Sequence, residues 1–406
     1  MQIANTFWHG MRHPGLCWAL IGFLCIRAAI WLTAWFTVPD PAELGPGRWW
    51  SEVPLVRWDS AFYRCILRDG YPPGPPVPPT VEFFPVYPLL ARPLALVVQR
   101  DVALVAVSNL AALIGAGFVY AWARRLTDRR TGFWCVMLAS AYPAAMFLSA
   151  GYTEGLFFLE VATALWLLAR GRPLPAACVS AVATATRPTG LALAAVILVW
   201  TYLHARAHTR SRPGPRAWTR RVMHLLAVGG VPVSGFVAYQ AYLWHRYGRR
   251  DASFAVQEYW RKKDVEHPLV KTLLLQPVLE RSARPIKYLV RGQFGLLAEM
   301  GNYNALLGTL ILALGIKGLI RPGEIPRVLF LLPVGIFVMA YLPDPAGGGY
   351  LVSIARYQTA ALPCFLLLAR WKLWQRRPLA LYALFALLVA LQCLYARAFA
   401  NWEWAG

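Results

Sequence analysis

Apolar stretches of about 15 to 25 residues alternate along the whole chain with short basic or proline-containing gaps. A helix needs about 20 apolar residues to cross a hydrocarbon core of roughly 30 Å, so these stretches read as about eleven membrane spans. The pattern predicts an all-α, polytopic transmembrane bundle forming one integral membrane domain over residues 1–406. The first stretch, residues 15–38, is longer than a signal-peptide core and lacks a small-residue cleavage pattern behind it, so it reads as a retained helix.

Basic loops orient the spans. The loops ARRLTDRR (residues 123–130) and HARAHTRSRPGPRAWTRR (residues 204–221) fall on the cytoplasmic side by the positive-inside rule. Parity then makes the N-terminus cytoplasmic and puts two long loops, residues 39–101 and 246–302, outside. The second is basic, but long loops largely escape the rule. Residues 174–202, about 29 apolar positions or roughly 43 Å of helix, are too long for one crossing and too short for two. Arg187-Pro188 splits them, predicting two short helices whose turn stops below the outer surface, a break tolerated only against protein or a wet cavity. In the first loop, Trp58, Phe62, Ile66 and Leu67 recur at helical spacing and predict an amphipathic helix on the membrane surface. PPGPPVPP behind it is a short stiff spacer.

Composition agrees with a membrane protein: 58% of the 406 residues are hydrophobic, 15% are charged and 18 are Trp. The net charge of +22 does not point to nucleic acid, because the arginines sit in gaps between apolar runs, where orientation signals and anionic headgroups place them. Seven cysteines form no CxxC or other ligand spacing, so neither a disulfide framework nor a zinc site is indicated. Without GxxxxGK[ST], strand-linked GxGxxG or HExxH, nothing supports nucleotide-driven transport, zinc proteolysis or a bound cofactor.

Parity gathers Asp59, Glu82, Glu154, Arg187, Arg261 and Arg356 on or just beneath the outer face. A charge at the bilayer centre costs about 2.5 to 3.5 kcal/mol, so those near span ends need to snorkel or to find a partner. Asp59 fits a carboxylate at a helix N-terminus, a pair with Arg57, or a catalytic group. Glu154 fits a first-turn position or a functional one. Arg187 lies at the predicted break, and Arg356 starts an inward span from which it can snorkel. Trp260 and the basic triplet after it suit a solvated loop or a lipid phosphate at the interface. Arg27, mid-span, predicts burial against a carboxylate or backbone carbonyl.

The order of motifs resembles the PIG-V-like (GPI mannosyltransferase II) glycosyltransferases of the GT-C superfamily and their bacterial relatives. RWDSAFYRCILRDGY followed by FFPVYPLL is similar to that family's early-loop elements. YTEGLFFL, ATRPTGL, VQEYWRK and ARYQTAALP resemble its later ones, in the same order. The resemblance implies a GT-C-like bundle in the cell membrane that uses a polyprenyl-phosphate sugar donor and inverts the anomeric carbon. Such an outer-face enzyme has no cytosolic nucleotide-sugar, so its donor arrives on a lipid. The resemblance makes Asp59 the catalytic residue, a general base. It makes Arg57, Trp58, Glu82, Tyr152, Glu154, Arg187, Trp260, Arg261, Arg356 and Tyr357 substrate-binding residues, with Arg187, Arg356 and Arg261 near the leaving phosphate. The implied partners are the donor, a glycan, lipid or protein acceptor, and membrane lipids. PPGPPVPP departs from the pattern and bears on the acceptor.

Two other readings fit a polytopic chain. A transporter or flippase of lipid-linked sugars also uses broken helices and buried arginines, but predicts inverted halves. A membrane scaffold predicts that Asp59→Ala and Arg187→Ala leave glycans unchanged.

Overall fold

The computed structural model describes residues 14–38, 53–73, 77–207, 227–256, 276–291, 300–321, 323–341 and 350–403. Every regular element among the described residues is helical. Four stretches among them are long and apolar enough to cross a bilayer. They are α1 (Pro14–Thr37), the helix Arg100–Leu126, the stretch Gly301–Ile320 and the helix Pro378–Ala400. Shorter apolar helices fill the space between them, so the chain is a multi-pass helical membrane protein in which several of the expected spans are interrupted.

On α1 the residues Ala19, Phe23, Ile26, Ile30 and Ala34 are buried, while Trp18, Leu32, Trp35 and Phe36 are exposed. The helix is apolar on both sides because one side meets protein and the other meets lipid. The amphipathic helix expected in the first loop is α2 (Ser60–Asp69), but its apolar face is covered by protein. Tyr63, Ile66 and Leu67 are buried, and Phe62 stacks on Phe83 with ring centroids 4.5 Å apart.

From α2 the chain reaches α3 (Arg100–Leu126), then α4 (Arg129–Ala141). Asp128 caps α4 by accepting from the Thr131 N–H. Residues 131–149 read as one span, yet the α-helix stops at Tyr142 and continues as the 3-10 turn Pro143–Leu148. Pro143 cannot donate the N–H that would continue the ladder, which leaves carbonyls unpaired inside the bundle. Arg27 repairs the break. Its guanidinium donates to Ala145 O at 2.6 Å, Ser140 O at 2.7 Å and Gln392 Oε1 at 3.0 Å. Gln392 adds bonds to Ser140 O at 3.0 Å and Tyr142 O at 2.9 Å. Mid-span Arg27 is thus buried against backbone carbonyls, as expected.

Next come α5 (Glu154–Ala169), α6 (Pro173–Thr186) and α7 (Gly190–Ala207). Helix α5 lies so close to α3 that a Cβ on Gly155 would clash with the carbonyl and hydroxyl of Ser108. Helices α6 and α7 are the hairpin expected from Arg187-Pro188, with Arg187 in extended backbone (φ −166°, ψ 153°) at the turn. A Cβ on Gly190 would sit 2.6 Å from the carbonyl of Ala183, so only glycine lets the two legs close. At 14 residues α6 is about 21 Å long, short of a full crossing.

After α8 (Ser234–Tyr247) and α9 (Asn304–Ile320), α10 (Leu331–Tyr341) leads to α11 (Tyr350–Tyr357) and α12 (Leu362–Ala369). Residues 354–369 read as one span, but a 3-10 turn over Gln358–Ala360 separates α11 from α12, with Pro363 in the first turn of α12. Gln358 Nε2 donates to Pro333 O at 3.0 Å and anchors that break. Helix α13 (Pro378–Ala400) closes the bundle against α1, and its end packs Phe399 on Phe147 and Tyr152.

Candidate active site

Three of these breaks converge at one end of the bundle. Asp59 holds the N-cap position of α2, where a carboxylate ordinarily accepts from the first-turn N–H groups, yet its side chain makes no capping bond. Instead Asp59 Oδ2 accepts from Arg356 Nη1 at 2.8 Å. Just before it, Trp58 has φ +53°, a left-handed conformation that costs a non-glycine residue about 1–2 kcal/mol. Such strain persists only where surrounding contacts over-determine the backbone. They do so here. Gly151 N donates to Leu55 O at 3.0 Å, Asp59 N donates to Tyr152 Oη at 3.1 Å, and Tyr152 Oη donates to Arg57 O at 3.2 Å. The first loop is therefore stapled to the segment ahead of α5.

That segment delivers Glu154 beside the same arginine. Arg356 Nε lies 3.4 Å from Glu154 Oε1, and Arg187 Nη1, from the α6–α7 turn, donates to that oxygen at 3.0 Å. The result is a linear run of alternating charge: Asp59, Arg356, Glu154, Arg187. The two guanidiniums lie over rings, Arg187 over Tyr357 at 4.8 Å and Phe157 at 5.3 Å, Arg356 over Tyr152 at 5.1 Å, Tyr357 at 5.2 Å and Phe147 at 5.4 Å. Cation–π contacts of this kind add roughly 0.5–2 kcal/mol as they become desolvated. Accessibility separates the four: 21% of the Asp59 side chain is exposed, against 1% of Glu154, 9% of Arg187 and 7% of Arg356. Asp59 is the member that an incoming molecule reaches first. Glu154 serves as the buried counter-ion that spaces the arginines.

The other expected residues divide. Tyr152 and Tyr357 are part of the cluster. Arg57 turns away to backbone carbonyls, donating to Val53 O at 2.9 Å, Val56 O at 3.0 Å and Ala400 O at 3.3 Å. Burial, then the charge of Arg64, pushes its pKa down to about 10. Trp58 packs against Trp402. Glu82 ends the 3-10 turn Pro79–Glu82, next to Phe83, which stacks on Phe62 of α2. Trp260 and Arg261 lie outside the described residues.

Three further features border the site. Glu160, nearly two turns after Glu154 on α5, is buried and accepts from Thr186 Oγ1 at 2.7 Å, immediately before Arg187. A carboxylate inside the apolar run GLFFLEVATALW was the available signal for it. Tyr63 of α2 is held above its usual pKa by burial and then by the charge of Glu154. Arg64 pairs with Asp101 at 2.7 Å and ties α2 to the start of α3. Among the described residues, the basic turn after α3 meets the end of α5 at the opposite end of these helices, where Arg125 Nε donates to Ala169 O at 2.8 Å.

A sequence profile of the mannosyltransferase (PIG-V) family matches residues 50–269 of the chain. The GPI alpha-1,6-mannosyltransferase 2 of Cricetulus griseus is 35% identical over 153 residues, 34% of this chain and 29% of that protein. Its Homo sapiens counterpart is 32% identical over 153 residues, with the same coverage of 34% and 29%. The chain thus matches under a third of the length of these curated relatives. Among solved structures, the apo crystal structure of the Archaeoglobus fulgidus oligosaccharyltransferase superposes with a TM-score of 0.48 at 14% identity, over 97% of this chain and 57% of that one.

Proposed function

The chain belongs to the mannosyltransferase (PIG-V) family, and from that premise we propose that it transfers a hexose, mannose first among candidates, from a polyprenyl-phosphate donor to a hydroxyl outside the cytoplasm. The acceptor hydroxyl oxygen attacks the anomeric carbon on the face opposite the phosphate, so the configuration inverts. A carbon–oxygen bond forms to the acceptor and the bond to the phosphate oxygen breaks. Asp59 takes the acceptor proton, and polyprenyl phosphate leaves.

The observation that carries this reading is the balanced charge run with one accessible carboxylate. Two carboxylates and two guanidiniums sum to zero in the resting site. The donor phosphodiester carries one negative charge and the departing phosphate monoester gains a second. When Asp59 takes the proton, the protein side of the site gains one positive charge at that same step. Arg356 and Arg187 are the groups on which it falls, and preorganised cations aimed at developing charge are an effective form of transition-state stabilisation. Arg261 and Trp260 from the second long loop would complete the phosphate site.

Positive-inside orientation supports an extracytoplasmic site, because the arginine-rich turn after α3 lies at the end of α3 and α5 away from Asp59. Acceptors of three classes, glycan, lipid or protein, present the required hydroxyl at that surface.

The test is a reconstitution in liposomes with radiolabelled polyprenyl-phosphate mannose and extracted envelope acceptors. A mannosylated product with inverted configuration supports the reading. Movement of the donor across the bilayer without product would make the protein a transporter instead.

A further inference from the structure

Two non-glycine residues among those described have positive φ, Trp58 at +53° and Trp402 at +64°, and their rings touch, with centroids 5.8 Å apart. Trp402 closes α13. Its N–H donates to Phe399 O at 3.1 Å, and the N–H of Glu403 donates to Ala398 O at 2.9 Å. This pair of bonds is the Schellman arrangement, whose left-handed position is usually glycine because a Cβ is costly there. A tryptophan in that position weakens the cap, so its side chain must recover the loss elsewhere. The indole does so against the catalytic loop. The Arg57 guanidinium sits 5.3 Å from its ring centroid, and Arg57 Nε donates to Ala400 O at the end of the same helix. Arg57 and Trp58 are the two residues immediately before Asp59.

We infer that Trp402 is a positioning residue for Asp59. It braces the left-handed Trp58 backbone, and with it the direction in which the Asp59 carboxylate leaves the chain toward Arg356. Trp402 lies outside residues 50–269, so the profile match does not reach it. The inference rests on the proposed role of Asp59 as base for its kinetic consequence, but not for its structural one.

Trp402→Gly separates a cap from a brace, because glycine suits the left-handed position better than tryptophan does. In the full-length protein Trp402→Gly leaves the melting temperature near that of wild type, because the better cap offsets the lost indole contacts, leaves KM for polyprenyl-phosphate mannose within about twofold, and lowers kcat about tenfold or more. Trp402→Phe restores most of that kcat. Retention of wild-type kcat by Trp402→Gly, or failure of Trp402→Phe to restore it, overturns the inference. A second readout needs no turnover: in an Asp59→Cys background, adding Trp402→Gly changes the rate of maleimide labelling at position 59 several-fold. An unchanged rate overturns the inference. A wild-type protein that transfers nothing, with the labelling rate still shifted, overturns the reaction and leaves the brace standing.

Discussion

Glu154→Gln removes one charge and almost no volume from the centre of the cluster. The carboxylate is 1% exposed and faces two guanidiniums, Arg187 at 3.0 Å and Arg356 at 3.4 Å. At an effective dielectric of about 20, each contact is worth roughly 5 kcal/mol of Coulomb attraction, most of it offset by the cost of taking the charges out of water. Arg356 keeps Asp59 as a partner, so the uncompensated charge falls on Arg187, which is 9% exposed. Orphaning one partner of a buried pair costs about 3–5 kcal/mol, and the Tyr357 and Phe157 rings recover about 1 kcal/mol of it. At roughly 2 °C per kcal/mol for a chain of this size, the melting temperature falls by about 5 °C. Arg187→Met added to Glu154→Gln removes the orphan, and the double variant melts above the Glu154→Gln single variant. Thermal unfolding in a single detergent measures all three proteins. A Glu154→Gln protein that melts with wild type, or a double variant that melts below the single, refutes the buried run of charge.

Gly190→Ala forces a methyl to within 2.6 Å of the Ala183 carbonyl and costs about 1–3 kcal/mol or more in melting experiments, whereas Gly117→Ala, with open space at its Cβ, melts at or above wild type. Arg27→Met strips the Arg27 donor from Ala145 O and Gln392 Oε1 at the α4 break, while Ser140 O keeps Gln392 Nε2, and costs about 1–3 kcal/mol per buried acceptor left unpaired, read as a fall in melting temperature. Arg356→Lys keeps the charge but cannot fork between Asp59 and Glu154. Transfer assays should show kcat falling about a hundredfold with the fold retained.

Much of the site was legible because it follows from topology. Positive-inside parity places Asp59, Glu154, Arg187 and Arg356 on one side, and the proline after Arg187 marks the turn that lowers it into the bundle. The partner of Asp59 was not legible. Local reasoning offers Arg57 or the α2 dipole, whereas the observed partner, Arg356, is 297 residues away and Arg57 is occupied by carbonyls. Hydropathy also merged α4 with the turn after it and α11 with α12, because an apolar run has the same composition whether its ladder is continuous or broken. Pro143 and Pro363 were the signals of those breaks. Periodicity located the apolar face of α2 but cannot say whether lipid or protein covers it. Trp402 left no trace at all, since its role depends on a left-handed cap meeting a loop more than three hundred residues earlier.

The account depends on Asp59 as the base. The most direct measurement compares wild type with Asp59→Asn for release of polyprenyl phosphate from radiolabelled polyprenyl-phosphate mannose, alongside binding of farnesyl phosphate. Asp59→Asn is expected to stay folded, melting modestly below wild type because Arg356 keeps only Glu154 as a charged partner, and to bind farnesyl phosphate at least as tightly, because Arg356 loses a competing carboxylate. It should release polyprenyl phosphate at least about a hundredfold more slowly. Release at the wild-type rate by a folded Asp59→Asn protein would contradict the account.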